Sequence, residues 1–180
     1  MFNPQPITIQ NYKTKQDFIL APLTREDKDL DQLIQDIYTC CSEDLIYKTL
    51  FQKRHPNGYR LDNAKDFLKY SEVGWKDQTH FIFGIFQPQT KKLVGAIDIK
   101  SSNKEKAEVG YWLSCKYSGL MTNALIALTK LAQEAQYKSL KIITDTQNQK
   151  SEAVVQRAGF TSQDTREKDG VIERIHILTL

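Results

Sequence analysis

The chain has 180 residues, with 25 Lys and Arg against 22 Asp and Glu, and a formal charge of +3. This suits one soluble domain with a single core. No apolar run approaches the roughly 18 residues of a membrane helix, and no basic stripe interleaved with aromatics marks a nucleic-acid surface. The N-terminus shows no basic segment followed by an apolar core and a cleavage site, so a cytoplasmic location is expected. Cys40, Cys41 and Cys115 have no metal-ligand spacing, which argues against disulfides and zinc.

Phe18 to Leu23 reads as a short strand, with Thr24 or Asp27 placed to cap the following helix. Residues 1–17 read as an N-terminal extension to a single domain spanning 1–180. Leu30, Leu33, Ile34, Ile37, Tyr38 and Cys41 recur at helical spacing, and Leu45, Ile46, Thr49 and Leu50 continue the pattern beyond Ser42. His55 to Tyr59 is a loop by composition, and Ala64, Phe67, Leu68 and Ser71 begin another amphipathic helix. Phe81 to Phe86 and Leu93 to Ile99 then predict a buried antiparallel hairpin, followed by a strand over Ala107 to Leu113. From Thr122, the residues Ala124, Leu125, Leu128, Leu131, Ala132 and Ala135 draw one apolar helical face. A strand over Leu140 to Thr144, a short helix over Ser151 to Ala158 ended by Gly159, and a last strand over Ile172 to Leu180 complete a mixed α/β order.

The passage from Trp112 through Cys115 to Gly119 and into the Thr122 helix places backbone N–H groups and a helix N-terminus just beyond a strand end. Such a place favours an anion. Downstream, Asn148, Ser151, Val154, Arg157, Gly159 and Phe160 spell N-x-x-S-x-x-V-x-x-R-x-G-F. With Gly110-Tyr111-Trp112-Leu113 and Tyr117-Ser118-Gly119, these residues resemble the GNAT N-acetyltransferase family, in its RimJ/RimL-like branch, from about Phe18 to the C-terminus.

The resemblance implies a GNAT acyltransferase fold: a splayed mixed sheet, flanked by helices, that opens between the Tyr111 and Leu140 strands to admit acetyl-CoA. It implies cofactor contacts at Trp112, Leu113 and Ser114, on the turn Lys116, Tyr117, Ser118, Gly119, Leu120, Met121 and Thr122, and at Asn148. It further implies direct transfer of acetyl to a primary amine, such as a protein N-terminus, an amino acid or another small amine. Backbone N–H groups near Leu113 would polarise the thioester, and the Ser151 hydroxyl would protonate the departing thiolate. The alternative for Ser151 is a helix cap. Glu108, in phase with Gly110 and Trp112, is the candidate base, with Asp98 and His80 competing on neighbouring strands. Monomer and homodimer are both compatible.

The turn departs from the branch's usual Y-x-G-K-G-x-x-T-E-A-L. Aligned from the helix side, it has lost about two residues, including the basic one and the second Gly. Aligned from the turn side, Lys116 replaces the usual Arg or Gln and Met121 stands where a Gly or Ala belongs, open to obstruct the phosphates. A second expectation therefore stands beside the enzyme: a catalytically silent GNAT-fold protein binding a CoA-like ligand or a protein partner.

Overall fold

The computed structural model describes residues 2–24 and 29–180. Among these, strands form one sheet in the order β1-β2-β3-β4-β5-β6-β8-β7. β1 (Ile7–Gln10), β2 (Asp17–Pro22), β3 (Phe81–Phe86), β4 (Leu93–Ile99) and β5 (Ala107–Leu113) follow one another with antiparallel pairing between neighbours. β6 (Ser139–Asp145) lies parallel to β5, and β8 (Val171–Thr179) and β7 (Thr161–Lys168) continue the sheet with antiparallel pairing. The helices are α1 (Leu30–Cys41), α2 (Asp44–Ile46), α3 (Leu61–Asp77), α4 (Met121–Glu134) and α5 (Gln149–Arg157). The architecture is the mixed α/β sheet with flanking helices that the sequence predicts.

Every residue of β3 is buried, which follows from covering both faces of a central strand. Because successive side chains point to opposite faces, Phe81, Phe83 and Ile85 pack with Leu125, Leu128 and Leu131 of α4. Ile82 and Phe86 pack with Ile37 of α1 and Leu68 of α3 on the other face. Each such side chain contributes about 1.5–3 kcal/mol relative to exposure.

Several local expectations change. Asp29 caps α1, its carboxylate accepting the N–H groups of Asp31 and Gln32. Thr24 makes no such cap, and Asp27 lies outside the described residues. The pattern after Ser42 forms only the short α2 and a π-helical turn over Tyr47–Phe51. The Tyr47 hydroxyl there donates to the His55 carbonyl at 2.6 Å and accepts the Gly58 N–H at 3.0 Å, tying down the following loop. β1 and β7 are additional strands. All eight residues of β7 are exposed, and Asp169 and Gly170, with φ of 52° and 74°, turn it into β8.

α5 is held against β6 and β8 by a buried polar cluster. The Glu152 carboxylate accepts from the Thr144 hydroxyl, from Arg174, and from His176 across 3.1 Å. Burial alone would raise the Glu152 carboxyl; the bonds from Thr144, His176 and Arg174 together outweigh it and hold the group below its ordinary value. A carboxyl so lowered adds stability above its ordinary pKa of about 4.3 and loses it as pH falls through the lowered value. Glu152→Gln should therefore lower the thermal midpoint at neutral pH, and the deficit should shrink below about pH 4 when both proteins are scanned by calorimetry.

Candidate active site

The site is built on a failure of two strands to pair. β5 and β6 share only the rungs Ala107↔Leu140 and Glu108↔Lys141, and beyond these they part. On the other edge of β5, Ser114 N–H donates to the Val94 carbonyl at 2.9 Å, and the Glu108 carbonyl accepts the Lys100 N–H at 2.8 Å. Even-numbered residues thus direct their backbone groups to β4, so by alternation the N–H and C=O groups of Val109, Tyr111 and Leu113 face the split.

The side chains alternate as well. Val109, Tyr111 and Leu113 lie on the α4 face, while Trp112 is buried on the α1 and α3 face with its ring 6.1 Å from that of Phe67. Gly110, on the Trp112 side, lies opposite Asp98. Its N–H donates to Asp98 Oδ1 at 2.6 Å, and a Cβ there would sit 2.9 Å from that oxygen, so glycine makes room for the carboxylate.

Glu108 sits at the apex of the split, bonded to Lys100 at 2.7 Å and Lys141 at 2.9 Å. Desolvation acts to raise this carboxyl, but the bonds and charges of the two lysines outweigh it and hold the group low. This makes Glu108 a weak base with both neighbours engaged. Asp98 is different. Burial raises its carboxyl against the opposing Lys100 charge and Gly110 N–H, and it makes no ion pair among the described residues. His80 is occupied on both ring nitrogens, by Thr79 at 3.0 Å and the Tyr70 carbonyl at 2.9 Å. It stacks on Tyr70, as a structural histidine would.

Across the split, α5 begins at Gln149. Asn148 takes the cap, its side-chain oxygen accepting the Ser151 N–H at 3.1 Å. Ser151 is therefore not the capping residue, and its hydroxyl meets the Tyr111 hydroxyl at 2.6 Å.

The turn after β5 has an unexpected support. Asn11, at 2% exposure, donates from Nδ2 to the Ser118 carbonyl at 3.2 Å and accepts the Lys13 and Thr14 N–H groups at Oδ1. Tyr12 N–H donates to the Gly119 carbonyl, Asn123 donates to the Gln10 carbonyl at 2.6 Å, and Lys13 Nζ reaches the Ser118 hydroxyl at 3.1 Å. Gly119 has φ of 99°, and a Cβ there would lie 2.7 Å from Asn11 Oδ1. The loop between β1 and β2 thus braces the turn and brings Lys13 to it.

Leu120 and Met121 point into the core at 0% and 4% exposure, so Met121 does not stand over the turn, and neither side chain is presented to a ligand. Thr122 accepts from Arg157 Nε at 3.3 Å. Lys116 and Ser118 are exposed, Ser114 is buried, and Tyr117 packs edge-on against Phe18. The Glu43 carboxylate accepts the Cys115 N–H at 2.7 Å, at the head of the turn. Burial and Glu43 both raise the Cys115 thiol, which suits no nucleophile. Asn11, Lys13, Tyr111 as a partner of Ser151, and Glu43 were not singled out by sequence spacing, because each acts over a long separation.

The acetyltransferase (GNAT) domain pattern matches residues 17–161. The chain belongs to the GNAT acetyltransferase family. No curated protein sequence matches it significantly. Among solved structures, the Vibrio fischeri ribosomal-protein-S5-alanine acetyltransferase superposes with a TM-score of 0.78 at 15% identity, covering 98% of this chain and 97% of that one. The microcin C7 self-immunity acetyltransferase, solved with acetyl-CoA and AMP, gives 0.73 at 20% identity over 91% and 92%. Mycobacterium smegmatis RimJ, solved with a CoA disulfide, gives 0.74 at 15% identity over 98% and 88%. The family match begins at residue 17, so β1 and the bracing loop lie outside it.

Asn11→Ala would leave the Ser118 carbonyl and two loop amides without their partner, at a cost of about 1–3 kcal/mol. The expected lower midpoint of thermal or urea unfolding checks the brace, and the exposed Thr14→Ala should cost far less.

Proposed function

We propose that the chain is an acetyl-CoA-dependent N-acetyltransferase of the RimJ/RimL-like branch, acting on a primary amine, with a protein N-terminus or a small amine as acceptor. The observation that carries this reading is the parting of β5 from β6 directly after Glu108, which turns the backbone of Val109, Tyr111 and Leu113 toward a cleft with Ser151 on its other wall. Those groups suit an extended amide chain such as pantetheine, and an N–H near Leu113 suits a developing oxyanion. The braced turn with Lys13 and Lys116 suits the phosphates, with Lys13 bringing a cation to it from outside the turn.

The chemistry is direct attack. The amine loses a proton, the C–N bond forms, the C–S bond breaks, and the sulfur leaves with a proton from Ser151. Asp98 is the carboxylate better suited to receive the amine proton, since its pKa is raised where that of Glu108 is lowered. A base must be deprotonated to act, so activity should rise with pH through a limb above the ordinary Asp value of about 3.9. Asp98→Asn should abolish that limb and Glu108→Gln should keep it; the reverse pattern in kcat/KM against pH returns the role to Glu108.

One observation favours a silent binder instead: the Glu43 carboxylate already holds the Cys115 N–H, setting a negative charge beside the turn. Thermal scans separate the readings. Acetyl-CoA at 100 times its Kd should stabilise the native chain by about 2.7 kcal/mol. A raised midpoint together with CoA thiol release from an amine panel supports the transferase; a raised midpoint without release supports the silent binder. No shift at millimolar acetyl-CoA removes the transferase and leaves a silent protein whose ligand is a protein partner.

A further inference from the structure

Resting on the transferase reading, we propose that Tyr111 is the positioning residue for the acid step: it donates its hydroxyl hydrogen to Ser151 Oγ and thereby turns the Ser151 hydrogen toward the leaving sulfur. The two oxygens are 2.6 Å apart, a short distance for paired hydroxyls. They come from opposite walls of the cleft, Tyr111 from β5 and Ser151 from the third position of α5.

The direction of the bond follows from the chemistry of the pair. A phenol is the better donor and an aliphatic hydroxyl the better acceptor, and each hydroxyl has one hydrogen to give. If Tyr111 donates, the Ser151 hydrogen has no claim from Tyr111 and is free to point elsewhere. Burial pushes the Tyr111 phenol up to about 12, so it keeps its proton throughout the working range. The Ser151 carbonyl lies 3.4 Å from the same hydroxyl, a longer and weaker alternative acceptor. With Asn148 supplying the helix cap, nothing in the capping of α5 requires the Ser151 side chain.

The proton account stays closed. The sulfur takes the Ser151 proton as the C–S bond breaks, the amine proton goes to the base, and solvent returns a proton from base to Ser151, with Tyr111 unchanged. The net transfer is from nitrogen to sulfur. Tyr111 thus acts through Ser151 and does not itself need to reach the thioester.

The test is a double-mutant cycle on kcat, with acetyl-CoA as donor and an amine that the unmodified chain acetylates. Tyr111→Phe keeps the ring and removes the donor; it should lower kcat roughly tenfold, with the KM for acetyl-CoA changed by less than about twofold. Ser151→Ala should cost roughly a hundredfold. Adding Tyr111→Phe to Ser151→Ala should cost nothing further, because the residue it acts through is gone. A purely structural role would instead shift KM and the thermal midpoint, and would persist in the Ser151→Ala background. Full kcat in Tyr111→Phe, or an undiminished loss in the double variant, overturns the assignment while leaving the transferase reading in place. Absence of turnover in the unmodified chain overturns both.

Discussion

The constraint on which the structure depends is that β5 must carry unpaired backbone inside the protein. A strand edge without a neighbour exposes N–H and C=O groups that are costly to bury and prone to pair with any extended chain. Here the edge is opened under control. The Glu108 rung, clamped by Lys100 and Lys141, marks the last pairing with β6. Further along, the Glu152 cluster holds α5 to β6 and β8 as the far wall, and α4 covers the odd-numbered side chains of β5. The parting therefore leaves the strands fixed and only their facing edge free, as a cleft for an extended amide requires.

The turn below that cleft has a different logic from the one its sequence suggests. Gly119 in a phosphate cradle would be needed for the approach of a ligand. In this chain it is needed for the approach of Asn11, which sits where any Cβ would intrude. The loop between β1 and β2 binds two consecutive carbonyls of the turn, at Ser118 and Gly119, and places an amine beside Ser118. The turn thus borrows rigidity and charge from a segment about a hundred residues earlier. Met121, which by alignment alone threatens the phosphates, is drawn into the core because α4 begins there, and its apolar side chain belongs on the buried face.

What the sequence made legible is what periodicity records. β3, β4, β5 and α4 are strongly apolar with one clear period each, and they fall within a residue or so of their expected bounds. β7 was not legible because its eight residues are polar and exposed, leaving no alternation to detect; the Asp169-Gly170 pair was the available sign of its hairpin. β1 was obscured by its brevity. At the site, the parting of β5 from β6 follows the family resemblance, whereas the partner of the Ser151 hydroxyl could not be read, since its meeting with Tyr111 joins positions forty residues apart. His176 was equally hidden: nothing in a terminal strand announces that its Nε2 faces Glu152, with Nδ1 buried and unpartnered.

The two carboxylates near the cleft illustrate why residue type and phase are insufficient to assign a role. Glu108 and Asp98 lie on adjacent strands, and both are reached electrostatically by Lys100. Environment separates them: Glu108 gains two lysine bonds and is held charged, whereas Asp98 is desolvated with a single backbone donor and its pKa rises. The period of two in β5 then determines on which side each partner lies. Asp98, Gly110 and Trp112 belong to the α3 side, and Tyr111 with its bond to Ser151 belongs to the α4 side. A reaction that takes a proton from an entering amine and gives one to a departing thiolate needs its two proton sites on opposite sides of the reacting carbon. The open strand β5, alternating its side chains across the sheet, sets Gly110 beside Asp98 of β4 on one face and Tyr111 beside Ser151 of α5 on the other.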